Sequence, residues 1–404
     1  MKVLMINSVC GIKSTGRICT DLAEILLQGG HECKIAYGRE SVPEKYQKYA
    51  IKIGTDLDSK LHGIQTRLFD RHGLGSKRAT RKFIKWAKEY DPDIIHLHNL
   101  HGYYLNLPIL FKYLRESKKP VVWSFHDCWP LTGHCAHFDF NGCDKWQTEC
   151  KECAHINEYP KSFFDASKRN FKIKKELYMD MPNLSLIVPS EWLRDIVEHS
   201  FLRGGDVHIL PAGIDLERFQ TVQNDFKKKN GLQNKYVVLG VSSIWNKMKG
   251  HEYMNRLSED LPADKYQVVM VGNIAGDFRL SDRIMYVPNT DSIEELCSLY
   301  SAADIFVNPT LQETQGLTTI EAFACGTPAV IFRSGGAAEC IDDSCGVAIE
   351  RGNYDEFVRA VIRACEEKPF AKDECIEKSK KYDKNLCYGA ILRLYNEILE
   401  NKQK

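Results

Sequence analysis

The chain has 404 residues, too many for one ordinary core, and this length predicts two domains of about 200 residues each. Its 55 Lys+Arg and 54 Asp+Glu residues leave a formal net charge of +1, which excludes a whole-molecule attraction to nucleic acid. The apolar run at Met1–Ser8 is too short for a signal peptide, and no later run reaches the roughly 18 to 20 apolar residues of a membrane span. We therefore expect a cytoplasmic protein whose 15 cysteines are reduced.

Short β-branched runs alternate with amphipathic helical stretches along the whole chain, which predicts an α/β protein with parallel sheets covered on both faces. The strands predicted in the first half are Val3–Asn7, Lys34–Tyr37, Ile94–His98, Val121–Phe125, Leu184–Val188 and Val207–Leu210. Those predicted in the second half are Val237–Val241, Gln267–Val271, Met285–Val287, Ile305–Asn308 and Ala329–Phe332. A Pro-Gly turn at 210–215 separates the two series and predicts domains at 1–209 and 210–384. An amphipathic helix in 385–404 is expected to return to the first domain.

The first predicted strand is followed by a glycine-bearing turn, Gly11-Ile-Lys-Ser-Thr-Gly16-Arg17. Its spacing matches neither G-x-G-x-x-G nor G-x-x-x-x-G-K-[ST], so it predicts neither a dinucleotide fold motif nor a P-loop. It does place Gly16 and Arg17 at a helix start, where a backbone can approach an anion.

Residues 67–88 form a local basic stretch with aromatic and aliphatic members among the cations. One interpretation is the solvated face of a helix. The other is a cationic, partly aromatic surface that contacts anionic lipid at the inner face of the membrane.

Histidines and other polar residues follow the next two predicted strands. His96, His98 and His101 could together bind a metal, or this stretch could line a ligand cleft with Asn99 and Tyr103. His126 and Asp127 stand at the carboxyl end of the strand that begins at Val121. A histidine that follows an apolar strand is more often structural than catalytic, so the strand position by itself leaves the role of these two residues open.

The segment 129–159 is a cysteine-rich insertion with the spacing C-x7-C-x6-C-x2-C. The terminal C-x-x-C pair is one that two thiolates use on a tetrahedral ion, so one interpretation is a structural zinc site. The other is a loop with free or transiently oxidised thiols, since the spacing is not a common zinc-ribbon pattern. The four candidate ligands are Cys135, Cys143, Cys150 and Cys153.

The most informative stretch is Glu313-Thr-Gln-Gly-Leu-Thr-Thr-Ile-Glu321-Ala-Phe-Ala-Cys-Gly-Thr-Pro328, directly after a predicted strand. Gly316 permits a tight turn there, and the amides of Gly316, Leu317 and Thr318 then form a helix N-terminus that favours a phosphate. Glu321, about one turn further on, can accept hydrogen bonds from vicinal hydroxyls such as those of a ribose.

The segment from Ala302 to Gly336 resembles the C-terminal signature of retaining GT-B glycosyltransferases of family 4, with seven residues between the two glutamates and the Glu321–Pro328 tail. The resemblance covers nearly the whole chain and implies two facing Rossmann-like domains. Trp129–Cys135 resembles a branch of the family that assembles exopolysaccharide, capsule or colanic-acid-like polymers. It implies transfer of a sugar from a nucleotide-sugar, UDP-linked first and GDP-linked next, to a saccharide or polyprenyl-diphosphate-linked acceptor, with no cofactor in catalysis.

The resemblance also implies roles for individual residues. Catalytic contacts with the transferred sugar or its leaving group are expected from His126, Glu313 and Lys249. Donor binding is expected from Gly16, Arg17, Lys247, Gly316, Leu317, Thr318 and Glu321. Acceptor contacts are expected from Asn99, His101, Tyr103 and Asp127. Many family members carry an arginine about five residues before the Lys-Gly pair, where this chain has Ser243 or Ile244, so Lys247 is the candidate second cation.

Three other interpretations remain. The same double-Rossmann fold could carry a nucleotide-sugar epimerase or a sugar phosphorylase, although no Schiff-base lysine is identifiable for the phosphorylase. A catalytically inactive nucleotide-sugar-binding scaffold is the alternative outside enzymes. Asp91-Pro-Asp93 has the D-x-D form of metal-dependent GT-A transferases, but it precedes a strand as a turn and is not expected to bind a catalytic metal.

Overall fold

The computed structural model describes residues 1–179 and 181–403 of the chain. The chain divides into two compact units, Met1–Pro211 together with the segment from Tyr388 onward, and Ala212–Cys387. Among the described residues no helix combines the length and apolarity needed to cross a membrane.

The first unit contains seven parallel strands. They are β1 (Lys2–Asn7), β2 (Glu32–Tyr37), β3 (Ala50–Lys52), β4 (Ile94–Leu97), β5 (Val121–Ser124), β6 (Leu184–Val188) and β7 (Asp206–Ile209). Their order in the sheet is β3-β2-β1-β4-β5-β6-β7. The direction of strand order reverses between β1 and β4, which is the position where Rossmann-type sheets bind ligands.

The second unit contains six parallel strands. They are β8 (Tyr236–Trp245), β9 (Tyr266–Ile274), β10 (Met285–Val287), β11 (Ile305–Asn308), β12 (Ala329–Arg333) and β13 (Gly346–Glu350). Their order is β10-β9-β8-β11-β12-β13, so here the reversal lies between β8 and β11. The predicted class, two Rossmann-like α/β sheets, is therefore confirmed.

Helices follow most of the strands and cover both faces of each sheet. In the described part of the chain, six helices lie in the first unit: α1 (Lys13–Gln28), α2 (Asp56–Phe69), α3 (Lys77–Tyr90), α4 (Leu107–Ser117), α5 (Ser167–Tyr178) and α6 (Glu191–Glu198). Six more of the described helices lie in the second unit: α7 (Phe226–Lys229), α8 (His251–Asp260), α9 (Ile293–Ala302), α10 (Leu317–Ala324), α11 (Tyr354–Glu367) and α12 (Lys372–Lys380). The last helix is α13 (Lys384–Gln403). Short 3-10 segments occupy Glu44–Tyr49, Trp129–Leu131, Asp139–Asn141, Lys145–Gln147 and Gly335–Cys340.

Helix α13 belongs to both units, because the boundary falls between Cys387 and Tyr388. Its first residue is bound in the second unit, where the Lys384 ammonium lies 2.6 Å from Asp215 Oδ2. Its later part packs on the first unit, where the Tyr395 hydroxyl is hydrogen-bonded to His96 Nδ1 and Lys402 donates to the Lys118 carbonyl. The side chains of Tyr388 and Tyr395 are fully buried.

Candidate active site

The carboxyl end of β11 leads into the loop that carries the first glutamate of the signature. Gly316 is the N-cap of α10, and no side chain caps this helix end. The Leu317 N–H donates to the Gln315 carbonyl at 3.1 Å, so that amide is used within the loop. Among the described residues the N–H groups of Gly316 and Thr318 have no hydrogen-bond partner. Two of the three predicted phosphate-binding amides are thus available, and the helix dipole favours an anion beside them.

Glu313 and Lys249 form an ion pair, although they are far apart in the sequence. The Lys249 ammonium contacts Glu313 Oε2, and each side chain is 24% exposed, so both can still reach a ligand. One backbone bond joins the two loops, since the Leu311 N–H donates to the Met248 carbonyl at 2.7 Å. A second, from the Gly336 N–H to the Glu313 carbonyl at 2.9 Å, ties the Glu313 loop to the 3-10 segment that begins at Gly335. The structure therefore brings together two of the three predicted catalytic residues.

Glu321 lies in the second turn of α10 and is 6% exposed. The Tyr300 hydroxyl donates to Glu321 Oε2 at 3.0 Å and fixes the orientation of the carboxylate. Tyr300 is fully buried on α9. Sequence reasoning missed this tyrosine, because its position in an ordinary helical pattern gives no sign of its partner.

Lys247 lies two residues before Lys249 in the loop between β8 and α8 and is exposed. Within the described part of the chain its ammonium has no ion-pair or hydrogen-bond partner. The backbone of Lys249 is fixed by its N–H, which donates to Asn246 Oδ1 at 2.9 Å. The position of Lys249 is therefore fixed by its ion pair with Glu313 and its backbone bond to Asn246, whereas the side chain of Lys247 is free to move in solvent.

In the first unit, the predicted turn after β1 becomes the start of α1. Gly16 is buried in the first turn, and a Cβ there would lie 3.1 Å from both Gly11 N and Val9 Cγ2. The Gly11 N–H donates to the Gly16 carbonyl at 3.0 Å, which closes the loop on the helix. Arg17 is exposed on the next position. The glycine thus allows close packing of the loop, and the arginine points to solvent.

His126 follows β5 and is hydrogen-bonded to a second imidazole. Its Nε2 lies 3.0 Å from His98 Nδ1, and the two rings are nearly parallel. Burial lowers the pKa of His126 to about 4 and that of His98 well below its usual value. Both imidazoles are therefore neutral near pH 7, and His126 can act there as a hydrogen-bonding group but not as a stored proton donor.

The three histidines 96, 98 and 101 do not share a partner. His96 is buried between Ser124 Oγ, at 2.8 Å from its Nε2, and the Tyr395 hydroxyl. His101 faces away to Asp127. No group of three or more His, Cys, Asp or Glu side chains within 1–179 and 181–403 is arranged to hold a metal ion. The metal interpretation of this histidine stretch is wrong, and the structure uses the three side chains separately.

His101, Asp127 and Tyr159 form a hydrogen-bonded chain. His101 Nε2 lies 2.7 Å from Asp127 Oδ2, and its Nδ1 lies 2.9 Å from the Tyr159 hydroxyl. Burial raises the pKa of Asp127, but His101 and the Trp129 N–H lower it more, to about 2. Two predicted acceptor-side residues are thus in contact, and Tyr159, which the sequence analysis did not select, joins them.

An aromatic cluster surrounds this chain of hydrogen bonds. The Tyr103 ring lies 4.6 Å from His72, and the His72 ring lies 5.3 Å from Trp129. His72 is 4% exposed and accepts the Gly102 N–H, and burial lowers its pKa well below the usual value. It is therefore a neutral core residue rather than a cation of the basic stretch. The fourth predicted residue, Asn99, is held through its backbone, since its N–H donates to Asn7 Oδ1 at 3.2 Å.

Asp91 and Asp93 make contacts that stabilise the first unit. Asp91 forms a 2.8 Å ion pair with Lys119, and Asp93 Oδ2 accepts the Lys2 N–H at 2.7 Å. The two carboxylates thus anchor neighbouring elements.

Two family models match the chain. The model of Glycosyltransferase Family 4 matches residues 15–218, half of the chain, and that of Glycosyl transferases group 1 matches residues 222–384. The chain belongs to glycosyltransferase family 4. Each match falls largely within one of the two units, so the family assignment covers both sheets.

Individual proteins agree with this assignment. WcaC of Escherichia coli (strain K12), named as a colanic acid biosynthesis glycosyl transferase, is 24% identical over 389 residues, 89% of this chain and 90% of its own. Sucrose-phosphate synthase of Thermosynechococcus elongatus superposes with a TM-score of 0.74 at 17% identity, over 99% of each chain. Anabaena Alr3699/HepE, solved in complex with UDP-glucose, superposes with a TM-score of 0.66 at 16% identity, over 99% of this chain and 100% of its own. These structural similarities confirm the GT-B fold.

Proposed function

We propose that this family 4 protein transfers a sugar from a UDP-linked donor, with retention of configuration, to a saccharide or polyprenyl-diphosphate-linked acceptor in surface polysaccharide assembly. The observation that carries the proposal is the arrangement of Glu313, Lys249 and Glu321 around the open N-terminus of α10. A cation, two free amides and two carboxylates match the diphosphate, the sugar and the ribose of such a donor. HepE, with UDP-glucose bound, supports the choice of UDP, and WcaC supports the choice of pathway.

The residues of the second unit account for the departure of the nucleotide. Lys249 stabilises the negative charge that develops on the diphosphate when the bond to the sugar breaks, and the α10 amides add to this field. The Glu313 carboxylate holds that ammonium in place before the donor binds and can accept hydrogen bonds from the sugar. The neutral His126 contributes a hydrogen bond to the transferred sugar or to the acceptor hydroxyl and carries no charge into the reaction.

Replacement of Glu321 by glutamine tests the donor site. We expect UDP affinity to fall about ten- to hundredfold, because the amide loses the charged acceptor that two ribose hydroxyls would share. Thermal shifts with UDP, GDP, ADP, CMP, dTDP and NAD, together with the matching sugar nucleotides, measure this effect and select the base. Glu367→Gln is the control, since that glutamate is exposed and pairs with Arg363 on α11.

The outcomes of this screen distinguish the alternatives. Unchanged UDP affinity in Glu321→Gln would contradict the donor assignment, and a response to NAD alone would favour an epimerase. Binding without turnover in the presence of a competent acceptor would favour a scaffold. The anomeric configuration of the product, read by NMR, decides whether transfer proceeds with retention.

A lipid-linked acceptor requires contact with a membrane, and the structure presents a suitable surface on α2. Four side chains of one helix face are exposed there, Leu57, Leu61, Ile64 and Leu68, while His62 and Thr66 on the opposite face are buried. Phe69, Phe163 and Phe164 extend this face, and we call these seven residues the α2 apolar surface. Residues 57–69 and 159–164 hold eight of the thirteen large apolar side chains that are exposed among the described residues.

Cationic side chains of α2 and α5 lie directly beside the α2 apolar surface. Phe163 N–H donates to the Arg67 carbonyl at 2.8 Å, and the Arg67 guanidinium lies 4.4 Å from the Phe163 ring centre. Next to Phe164 is a depression of about 640 Å³ that includes four cations of α5, Lys168, Arg169, Lys172 and Lys175. Apolar side chains beside clustered cations fit an anionic bilayer.

The stretch 67–88 contributes less apolar surface than its sequence indicates. Leu74 and Phe83 are buried, and Ile84 and Trp86 pack against the core, so Phe69 is its one strongly exposed ring among the described residues. Helix α3 therefore presents its cations to solvent, and the apolar contact we propose comes from α2.

Flotation with vesicles tests this contact. We expect binding to vesicles that contain phosphatidylglycerol and at least a tenfold loss in the double variant Leu61→Asp/Ile64→Asp, because two carboxylates must then enter the interface. Leu386→Asp, at an exposed leucine on α13, is the matched control. Equal flotation of the double variant would contradict the surface, and a dimer that dissociates in this variant would identify a second copy as the occupant.

A further inference from the structure

Three neighbouring strands of the first sheet end beside one another, and the loops that follow them are joined. The Ser8 carbonyl, directly after β1, accepts the N–H groups of Gly38 and Arg39, directly after β2, at 3.2 and 3.0 Å. A Cβ on Gly102, in the loop after β4, would lie 3.1 Å from Ser8 Cβ and 3.7 Å from Arg39 Cδ. Strand order reverses between β1 and β4, so these loops meet at the position where an open α/β sheet binds its ligand.

The loop after β4 has a strained backbone that orients an aromatic ring. Gly102 has φ of 114°, and Tyr103 has φ of 68°, a left-handed conformation that a bulky side chain rarely adopts. The centre of the Tyr103 ring lies 4.6 Å from that of His72 and 6.2 Å from that of Tyr159, which is nearly perpendicular to it. Backbone strain of this kind persists only where the surrounding contacts enforce it, and it is concentrated in ligand-binding loops.

Arg39 brings a cation without an acidic partner to this position. Its guanidinium carbon lies 5.5 Å from the centre of the Tyr103 ring. Glu40, the acidic residue next to it in sequence, is paired with Lys13 instead. Within the described part of the chain the Arg39 side chain forms no ion pair or hydrogen bond. Its planar donors are therefore available to a ligand, and they match the geometry of a carboxylate or a phosphate.

Tyr159 combines an exposed ring with a fixed hydroxyl. The residue is 42% exposed, although its hydroxyl lies 2.9 Å from His101 Nδ1 and the two ring centres are 5.6 Å apart. His101 is held in turn by Asp127 Oδ2 at 2.7 Å. The ring is thus fixed by its polar end while much of its apolar surface faces solvent, which is a suitable surface for the C–H groups of a sugar ring.

Tyr159 is the last residue of the insertion 129–159, which buried polar contacts fix to the rest of the first unit. His134 Nδ1 lies 2.7 Å from Asp70 Oδ1, and both side chains are fully buried. The buried Lys174 ammonium donates to the Trp129 carbonyl at 2.6 Å. These contacts hold the insertion against α2 and α5, so the position of Tyr159 at the sheet edge is well defined.

The four cysteines of the insertion do not form a recognisable metal site. No disulfide joins Cys135, Cys143, Cys150 and Cys153, and among the described residues no three His, Cys, Asp or Glu side chains are arranged to hold a metal ion. The zinc interpretation of these cysteines therefore gains no support from the structure. What the insertion contributes at this sheet edge is the Tyr159 side chain.

We propose that Arg39, Tyr103 and Tyr159 bind an acidic saccharide, that is, a sugar that carries a carboxylate or a phosphate group. The Tyr159 ring packs against the sugar, and the Arg39 guanidinium, which lies over Tyr103, donates hydrogen bonds to the acid group. This site rests on the proposed function, since the saccharide bound there is the acceptor of the transferred sugar. The acid group is the feature by which that acceptor is selected.

Titrations of the full chain with two small sugars, followed by ligand-observed NMR in the presence of UDP, test this site. We expect methyl glucuronide to bind at least about tenfold more tightly than methyl glucoside, because it alone offers Arg39 a charged acceptor. In Arg39→Gln the two sugars should bind within about threefold of one another. Arg256→Gln is the matched control and should keep the preference, since Arg256 also lies over a tyrosine, 3.7 Å from the Tyr354 ring centre, but in the second unit.

Two substitutions of Tyr159 separate the ring from the hydroxyl. Tyr159→Leu removes the aromatic face and should weaken the binding of both sugars about five- to tenfold. Tyr159→Phe keeps that face, and we expect affinities within about twofold of those of the wild type. Equal losses in the two variants would assign the effect to the hydroxyl and overturn the proposed packing against the ring.

Glucose 1-phosphate and inorganic phosphate distinguish the sources of the acid group. Tighter binding of glucose 1-phosphate than of methyl glucuronide would identify a phosphate on the acceptor, and the reverse order would identify a carboxylate. Inorganic phosphate that binds as tightly as either acidic sugar would overturn the assignment to a saccharide.

The wild type alone can overturn the proposal, so poor folding of a variant does not obscure the result. Equal affinity for methyl glucuronide and methyl glucoside would contradict it, and so would the absence of binding by both. A preference retained in Arg39→Gln would place the cation elsewhere. UDP affinity is titrated separately, so loss of the acid preference with normal UDP binding overturns this site alone. An intact preference without UDP binding contradicts the donor site alone.

Discussion

Replacement of Lys249 by methionine is expected to lower kcat/KM by about 10²–10³-fold with the correct donor and acceptor. Methionine keeps the length and apolar stem of the side chain but removes the ammonium that neutralises the departing diphosphate. It also leaves Glu313, which is 24% exposed, without the cation that holds it. Steady-state kinetics of UDP release measure the effect, and UDP titration separates binding from chemistry.

Lys247→Met is the matched control for this prediction. Lys247 lies in the same loop but is exposed and has no polar partner within the described residues, so we expect its loss to cost less than about tenfold. A larger effect at Lys247 than at Lys249 would reassign the cation that serves the diphosphate. A Lys249→Met enzyme within threefold of wild type would contradict the proposed role of the ion pair.

A double-mutant cycle with Glu313→Gln tests whether the two side chains act as a unit. Since Lys249 and Glu313 touch, the effects of the single substitutions should not add, and the double variant should be little worse than the poorer single one. Simple additivity would show that each residue acts on the donor independently.

Gly250→Ala is expected to destabilise the protein by about 3 kcal/mol or more and to disable the donor loop. Gly250 is the N-cap of α8 with φ of 79°, and a Cβ there would lie 2.2 Å from the Pro309 carbonyl oxygen. This backbone contact joins the loop that carries Lys249 to the loop that precedes Glu313, so relief of the clash must separate the two. Urea unfolding measures the stability, and UDP titration measures the damage to the site.

Gly276→Ala is the control that separates the cost of a positive φ from the cost of the steric clash with Pro309. Gly276 also has a positive φ, 71°, but nothing lies within 4 Å of its Cβ position, so we expect a loss of only about 1 kcal/mol. Equal losses at Gly250 and Gly276 would show that the Pro309 contact is unimportant. A stable Gly250→Ala protein with normal UDP affinity would contradict the packing argument altogether.

Most strands could be predicted from the sequence, including the edge strands β7 and β10, whereas the other two edge strands could not. Predicted and observed bounds agree within two residues for nine strands, most of which lie inside their sheets, because a parallel strand covered by helices must be apolar throughout. The strands that were not predicted are β3 and β13, each at one edge of its sheet and only partly buried. The predicted ends of β8 at Val241 and of β9 at Val271 are too early. The strands continue to Trp245 and Ile274, and their pairing is irregular between Val241 and Ile244.

The candidate site was predicted best where chemistry follows from a local pattern. Glu313, Gly316 and Glu321 lie at one strand-to-helix connection, as their order in the sequence predicts, and the resemblance to family 4 implies that they bind the donor. The metal interpretation of the His96, His98 and His101 stretch fails because His101 turns to Asp127, whereas His96 is hydrogen-bonded to Ser124 and stays beside His98. Tyr159 and Tyr300 could not be selected at all, since their roles arise from partners on other elements.

By itself the sequence determined the alternation of strands and helices, the two sheets, and the carboxylate-and-glycine motif of a family 4 donor site. The tertiary structure alone decided which distant side chains meet: Lys249 with Glu313, Glu321 with Tyr300, and His134 with Asp70. The physical reason is the distance along the chain over which each effect acts. Periodicity and turn chemistry act over a few neighbouring residues, whereas these contacts depend on sheet order and loop packing, which bring together residues that share no local signal.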